Sequence, residues 1–165
     1  MSSLPLAGGE GDAAERPMHP LIRHEPDLEH PGWWTWDVLG EERYNRTLGK
    51  LLVKPDGPGR ARCRIFPDTL QSNLGGMVHG GAILNFIDMA LFAGGHVAGV
   101  DIAYSVTLDL STQFLGPAQL RRPLDTSVEL LRETRRLAFM RGLVEQDGEL
   151  VVSWAGTIRK GGEQR

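Results

Sequence analysis

The sequence contains a single cysteine, Cys63, among its 165 residues. One cysteine excludes an intrachain disulfide framework and is typical of a protein in a reducing compartment. A strong charge of either sign is missing as well, because 18 Lys and Arg face 21 Asp and Glu, which gives a formal net charge of −3. This balance argues against broad affinity for nucleic acid, which requires basic surfaces.

Long apolar runs are also absent. The most apolar segment, residues 82–93, is shorter than a membrane-spanning helix and contains Asp88. The first residues show neither a basic start nor an apolar core, so we expect no secretory signal and a cytoplasmic location. The length of the chain suits one domain with a sizeable core.

Residues 1–40 are rich in Gly, Pro and Glu and show no sustained periodicity, which predicts an N-terminal extension that is partly extended or poorly ordered. The folded domain is expected over residues 41–165. Three indoles within residues 33–36 need burial, either by packing the extension onto the domain or by lining a pocket or a subunit contact. The three histidines of the extension match no metal-ligand spacing, so we expect no metal site.

Residues 73–95 form the most informative stretch, with glycines at its front and an apolar segment behind them. From Ala82 onward the pattern predicts a helix that is apolar almost all round, ended by Gly94 and Gly95. Such a helix is normally buried on most sides. Asp88 lies in its middle, and a carboxylate there is costly to bury unless it serves a function.

Gly80 and Gly81 open this helix. The first amide N–H groups of a helix have no intrahelical acceptor and lie at the positive end of its dipole. Because glycine has no side chain, a ligand's carbonyl oxygen can approach these donors closely. Donors that face a carbonyl oxygen, together with a nearby carboxylate, are the parts that acyl transfer requires.

The spacing of these parts adds a constraint. In one α-helix, Gly80 and Asp88 are about 12 Å apart along the axis and about 80° apart around it. A single reacting carbonyl group cannot contact both residues of the same helix. If both serve one reaction they come from two copies of the chain, so the spacing predicts a symmetric dimer with paired sites.

The rest of the sequence reads mostly as strands with period-two alternation, separated by turns such as Gln146-Asp147-Gly148. The predicted strands cover residues 46–53, 60–66, 104–115, 124–132, 136–146 and 149–159. We therefore predict an α+β fold in which an antiparallel sheet of five to six strands wraps around one long central helix.

Two groups of residues together resemble a known family. They are Asn73-x-x-Gly76-x-x-His79-Gly80-Gly81 followed by Asp88, and Val106-Thr107-x-Asp109-x-x-x-x-Phe114-Leu115-x-Pro117-Ala118. This combination resembles the hotdog-fold acyl-CoA thioesterases, and within them the branch of the phenylacetate-pathway thioesterases and their mammalian mitochondrial relatives. The resemblance covers residues 45–160 and leaves the N-terminal extension without a counterpart.

The resemblance implies catalytic roles for five residues. Asp88 matches the catalytic carboxylate, which acts as a nucleophile or as a general base on water. The N–H of Gly80 matches the donor that polarises the thioester carbonyl, and Asn73 and His79 match polar residues beside that carbonyl. Thr107 matches a Ser or Thr near the carboxylate, although the interval from Asp88 to Thr107 is one residue longer than in the family pattern.

The resemblance also implies a substrate and an assembly. An acyl-CoA would be hydrolysed to a free acid and coenzyme A, with no further cofactor and no metal. The site would be shared between the subunits of a homodimer, and relatives are often tetramers; no nucleic acid or membrane partner is expected. The implied substrate-binding positions are Gly81, Phe114, Leu115, Gly116, Pro117, Arg135 and Arg136, of which the arginines suit the phosphates of coenzyme A.

Other interpretations stay open on the sequence alone. A hotdog hydratase or dehydratase of enoyl thioesters would pair a histidine with an acidic residue, and no such match stands out. An acyl-CoA-binding hotdog module without turnover is the non-enzymatic alternative. Asn73 also suits a turn in which its side chain bonds its own backbone, and Arg135 and Arg136 suit an ordinary charged surface.

Overall fold

The computed structural model describes residues 18–40 and 43–161. Within these ranges the chain has one α-helix, α1 (Gly80–Val97), and two 3-10 helices, Tyr44–Leu48 and Thr69–Gln71. The strands in the same ranges are β1 (Ile22–Arg23), β2 (Trp34–Thr35), β3 (Asp37–Val38), β4 (Leu51–Pro55), β5 (Arg60–Ile65), β6 (Val106–Phe114), β7 (Leu124–Glu133), β8 (Leu137–Gln146) and β9 (Glu149–Arg159).

Seven of these strands form one antiparallel sheet in the order β2-β4-β5-β7-β8-β9-β6, while β1 pairs with β3. Helix α1 packs on this sheet and buries Phe86, Ile87 and Leu91 in the core. The predicted α+β class, with one long helix against an antiparallel sheet, is confirmed. The six predicted strands are present, and β2 from the N-terminal extension adds a seventh.

The C-terminal end of α1 differs from the prediction. Gly94 and Gly95 lie inside the helix, so the prediction that they end it is wrong. Their small size serves close packing instead, since a Cβ on Gly94 would lie 2.5 Å from Cγ2 of Val128. Ala98 caps the helix, and Gly99 follows with a φ of 111°.

Helix α1 is longer than the apolar segment over residues 82–93 that was predicted to be too short to span a membrane. With 18 residues and a mean hydropathy of 1.2, α1 is long and apolar enough to cross a membrane by length and composition alone. The fold buries 56% of these residues, as is usual for the core helix of a protein domain.

The strand predicted over residues 46–53 begins later than expected, at Leu51. Its first predicted residues belong to the 3-10 helix Tyr44–Leu48, in which Leu48 is only 2% exposed. Gly49, with a φ of 78°, separates this helix from β4. Leu48 has the spacing of a buried strand residue in the sequence, but in the structure it lies on the buried side of a short 3-10 helix.

The described part of the N-terminal extension, residues 18–40, packs on the rest of the chain. Strand β2 pairs with β4 and sets Trp34 opposite Val53. Trp33 and Trp36 are buried, whereas Trp34 is 38% exposed. The expected burial of the indoles therefore applies to two of the three, and the domain boundary at residue 40 stays a prediction.

Candidate active site

Asp88 and Thr107 meet between the middle of α1 and the start of β6. The Thr107 hydroxyl donates a hydrogen bond to Oδ1 of Asp88 with a distance of 2.6 Å between the oxygens. Both residues are half-buried, so the carboxylate lies at the rim of the core rather than inside it. The structure thus brings together two residues that lie 19 positions apart in the sequence.

A β-bulge brings Thr107 to the helix side of β6. Thr107 pairs with Ile158 and Asp109 pairs with Thr157, which leaves Leu108 as an extra residue between them. Side chains of a regular strand alternate between faces, so the extra residue puts Thr107 on the same face as Leu110, which packs on the core. Without the bulge, Thr107 would share the face of the exposed Asp109.

The start of α1 presents one open backbone donor. His79 is the N-cap, and its Nδ1 accepts a hydrogen bond of 2.9 Å from the N–H of Gly81. The carbonyl oxygen of His79 accepts from Ala82 and Ile83. Within the described part of the chain, the N–H of Gly80 has no acceptor. Of the two predicted glycine donors, Gly81 is therefore engaged in the cap and Gly80 is available to a ligand.

The imidazole of His79 adds a second donor at this place. Because Nδ1 accepts the bond from Gly81, the neutral ring carries its proton on Nε2. The side chain of His79 is exposed at the helix start. An Nε2–H group and the N–H of Gly80 thus occur at one end of α1, where the helix dipole also favours negative charge.

Asn73 shapes the loop that leads to this helix start. Its Oδ1 accepts hydrogen bonds from the N–H groups of Gly75 and Met77, at 2.8 and 3.1 Å. This is the turn role that the sequence left open as an alternative. The amide nitrogen of Asn73 takes part in no hydrogen bond within the described residues, so it remains available as a donor.

Gln71 supports the same loop and was not identified from the sequence. Its Oε1 accepts from the N–H of Asp68 at 2.7 Å, its Nε2 donates to the carbonyl of Thr47, and its own carbonyl accepts from the N–H of His79 at 2.7 Å. The spacing Asp68-x-x-Gln71 is a capping box, which is a signal that the sequence contains.

The predicted substrate-binding residues fall into two groups at opposite ends of β6. Phe114 ends the strand near the start of α1, where a Cβ on Gly80 would lie 3.4 Å from Phe114 Cζ. Leu115, Gly116 and Pro117 continue from there, and Gly116 is close to the backbone, since its Cβ would lie 2.9 Å from the Leu150 carbonyl oxygen.

Arg135 and Arg136 form the second group. They lie exposed in the turn between β7 and β8. The pairing of Leu137 with Arg159, and of Arg159 with Val106, puts this turn at the Val106 end of β6. A strand of nine residues is about 30 Å long, so one chain does not bring the two groups together.

Residues of α1 line two cavities, one with residues that precede Asp88 and the other with residues that follow it. A cavity of about 360 Å³ at the helix start is lined by His79, Gly81 and Asn85, together with residues of both 3-10 helices. A cavity of about 230 Å³ is lined by Met89 and Phe92 and by residues of the N-terminal extension. Ligands of small-molecule sites are held in concave spaces of this kind.

One group of side chains has the composition of a metal site. Asp27, Glu29 and His30 have potential ligand atoms within 4.8 Å of one another. The ammonium of Lys50 lies 2.7 Å from Asp27 and 2.8 Å from Glu29. A cation of the chain itself therefore pairs with both carboxylates, and these contacts form an ion-pair network that links the extension to Lys50.

Comparisons with known proteins agree with this fold. Residues 75–153 match the family described as the thioesterase superfamily. Human acyl-coenzyme A thioesterase 13 is 26% identical over 100 residues, which are 58% of this chain and 68% of that protein.

Solved structures share the fold, and two of them serve as examples. A mutant of the phenylacetic acid degradation protein PaaI from Thermus thermophilus has a TM-score of 0.61 at 23% identity, with 73% of this chain and 100% of that chain covered. A hypothetical thioesterase from Streptococcus pneumoniae, solved with coenzyme A, has a TM-score of 0.61 at 19% identity, with 71% and 93% covered. The chain thus has the hotdog fold, and its residues 75–153 match the thioesterase superfamily, with similarity to a PaaI protein and to human acyl-coenzyme A thioesterase 13.

Proposed function

We propose that this protein is an acyl-CoA thioesterase that hydrolyses an acyl-CoA to a free acid and coenzyme A. Asp88 is the reacting carboxylate, Thr107 holds it, and the N–H of Gly80 stabilises the oxyanion that develops on the thioester carbonyl. The observation that carries the proposal is the contact of 2.6 Å between Thr107 and Asp88 in a chain whose helix start has an open amide.

The proposed active unit is a homodimer formed through β6. In the described chain this strand pairs with β9 alone and lies at the end of the sheet. Three of its apolar side chains are exposed, with Val106 at 43%, Leu108 at 55% and Phe114 at 52%. An open strand edge of nine residues that exposes apolar side chains is a template for pairing with another strand.

Pairing of β6 with its own copy explains why the site residues of one chain lie apart. A two-fold axis across two such edges makes the strands antiparallel, so the Phe114 end of one strand faces the Val106 end of the other. The open amide of Gly80 lies near Phe114, and Asp88 is bonded to Thr107 near Val106. The dimer would therefore join Gly80 of one subunit to Asp88 of its partner, and it contains two such sites.

Coenzyme A is the proposed leaving group. Among the similar structures, that from Streptococcus pneumoniae contains coenzyme A and one from Streptococcus mutans is bound to acetyl-CoA. In the proposed dimer, Arg135 and Arg136 come to the same end of β6 as the partner's loop after Phe114. Their guanidinium groups suit the phosphates of the nucleotide.

Two chemical routes use the same residues. In the first, Asp88 takes a proton from water, the water oxygen attacks the thioester carbonyl, and the thiolate of coenzyme A leaves and is protonated. In the second, Asp88 attacks the carbonyl itself, expels the thiolate and forms an anhydride, which water then hydrolyses. Single turnover in ¹⁸O-labelled water tests the second route, because label enters the Asp88 carboxylate when water cleaves the anhydride at the aspartyl carbon, and the first route cannot put it there.

A thiol-release assay over a panel of acyl-CoAs tests the function. Release of coenzyme A with a free acid as the other product supports the proposal. Tight binding of acyl-CoAs without release would identify an acyl-CoA-binding module instead, and hydration of a crotonyl thioester without release would identify a hydratase. We further propose that turnover needs no added metal or cofactor and that the enzyme works in the cytoplasm.

A further inference from the structure

The cavity of about 230 Å³ at Met89 and Phe92 has walls from two distant parts of the chain. One wall consists of Met89 and Phe92 of α1. The opposite wall comes from the N-terminal extension, and includes Ile22 and Val38. These two residues pair directly across β1 and β3, and both are half-buried, so the short two-stranded sheet presents them together to the cavity.

The residues that line the cavity are close in sequence to the proposed site on both α1 and the segment before β6. Met89 follows Asp88, and Phe92 is one turn further along the helix, about 6 Å in axial rise. Ser105 also lines the cavity and precedes Thr107 by two residues. An acyl group whose carbonyl carbon reacts at Asp88 therefore has this cavity within reach of its next few carbons.

The lining suits the apolar end of an acyl group. The side chains of Ile22, Val38, Met89 and Phe92 offer aliphatic and aromatic surface, and no carboxylate of the described residues lines the cavity. Its polar lining residues include His19, Arg43 and Asn45. Its volume exceeds the ~150 Å³ of an engineered apolar cavity that binds benzene. The space therefore accommodates a ring or a short alkyl segment rather than a long chain.

We propose that the N-terminal extension forms one wall of the acyl-binding pocket, so that Ile22 and Val38 set the size of the acyl group that the enzyme accepts. This inference rests on the proposed function and adds the substrate class, which is an acyl group with a compact apolar tail. The family match covers residues 75–153, so this wall belongs to a part of the chain outside it. Burial of each methylene of the acyl tail stabilises the complex by about 0.8 kcal/mol. The size of the side chains in this wall therefore determines the length of the acyl group that binds best.

Photo-crosslinking of the wild-type chain tests the location directly. The probe is a non-hydrolysable thioether analogue of a hexanoyl-CoA that carries a diazirine at the end of its alkyl tail. We expect the label in the peptide containing residues 21–38 and in the part of α1 around Met89. Label confined to the other cavity, around Tyr44 and Asn85, or no label in residues 18–40 at saturating probe, would overturn the inference.

Two substitutions at one position test the size rule. Ile22→Phe narrows the pocket, so kcat/KM should fall at least about tenfold for octanoyl-CoA and stay within about twofold for acetyl-CoA, because only the longer tail needs the lost space. Ile22→Ala widens the pocket and should move the preferred acyl length upward. Leu28→Phe is the matched control, because Leu28 belongs to the same extension but is 95% exposed.

The outcomes separate this inference from the proposed function. Parallel acyl-length profiles in the wild type and both Ile22 variants would overturn the inference while thiol release upholds the function. Absence of thiol release from every acyl-CoA in the wild type would overturn the function, and the crosslinking result would still decide where the acyl tail lies. If Ile22→Phe fails to fold, the acyl-length profile of Ile22→Ala and the site of the crosslink decide whether the extension forms this wall.

Discussion

The hydroxyl of Thr107 lies 2.6 Å from Oδ1 of Asp88, and a one-residue bulge in β6 turns Thr107 toward that carboxylate. A single hydrogen bond of this kind limits the rotation of the carboxylate and fixes which oxygen faces the proposed substrate. In the proposed mechanism this contact gives Thr107 a positioning role rather than a chemical one.

The first prediction follows from that contact. Thr107→Val keeps the size and branching of the side chain but removes the hydroxyl, so kcat should fall about tenfold, or ~1.4 kcal/mol of transition-state stabilisation, with KM little changed. Thr107→Ser retains the hydroxyl and should keep most of the activity. Equal losses in the two variants would show that the hydrogen bond has no part in catalysis.

The second prediction concerns the shared site. Asp88→Asn and Gly80→Val subunits should each form inactive dimers, because the first removes the carboxylate from both sites and the second adds a side chain that blocks access to the open amide in both. Co-refolding equal amounts gives half of the protein as mixed dimers, in which one of the two sites is intact, so activity should return to about a quarter of the wild type. Size-exclusion chromatography checks that each variant is a dimer. If the mixture stays inactive although mixed dimers form, Gly80 and Asp88 do not work across the interface.

A third prediction concerns the packing of α1 on the sheet. A Cβ on Gly94 would lie 2.5 Å from Val128 Cγ2, so Gly94→Ala should lower the free energy of unfolding by about 1–2 kcal/mol despite alanine's better helix propensity. Gly95→Ala is the matched control, since its Cβ would meet the flexible Met140 Sδ at 3.2 Å and should cost less.

A double-mutant cycle checks the cause of the Gly94 effect. In a Val128→Ala background the substitution Gly94→Ala should cost at least about 1 kcal/mol less, because the clashing methyl groups are gone. Chemical denaturation measures all four proteins. Additive effects would show that the contact with Val128 does not explain the glycine.

The fourth prediction concerns acid stability. Hydrogen bonds from Lys50 lower the pKa of Asp27 from 3.8 to about 2, and His30 contributes further hydrogen bonds, against an opposing effect of burial. Because the folded pKa lies below the unfolded one, this carboxylate stabilises the fold above about pH 4, and that contribution is lost as the pH falls toward 2.

Thermal unfolding as a function of pH measures this effect. Asp27→Asn should lower Tm near neutral pH and give a shallower fall of Tm between about pH 4 and pH 2 than the wild type. Glu149→Gln, at an exposed position at the start of β9, is the control and should leave the acid slope unchanged. A wild-type slope in Asp27→Asn would mean that the link from Lys50 to the extension does not contribute to acid stability.

The sequence predicts much of the fold because its signals there are local. Alternation and tight turns gave β9 over residues 149–159 with its observed bounds, and the glycines at the helix start gave α1 its first residue. Gly94 and Gly95 misled the prediction because glycine marks a helix end and a close helix–sheet contact equally well. Only the position of Val128 in the folded sheet tells the two apart.

The candidate site was predictable in its residue types but not in its geometry. The sequence around Asp88 indicates a functional carboxylate. The contact of Thr107 with that carboxylate depends on a bulge at Leu108, which no local sequence pattern marks. The periodicity of apolar residues could not predict the cavity wall that the extension forms either. That wall depends on the pairing of Ile22 with Val38 across fifteen intervening residues.

The most direct test of the proposed mechanism is the thiol-release activity of Asp88→Asn at saturating acyl-CoA. Asparagine matches the aspartate in size but can neither attack the thioester nor accept a proton from water. We predict a kcat at least about 10²-fold below the wild type, with an unchanged Tm and an intact dimer. A kcat close to that of the wild type would contradict the central claim that Asp88 is the reacting carboxylate.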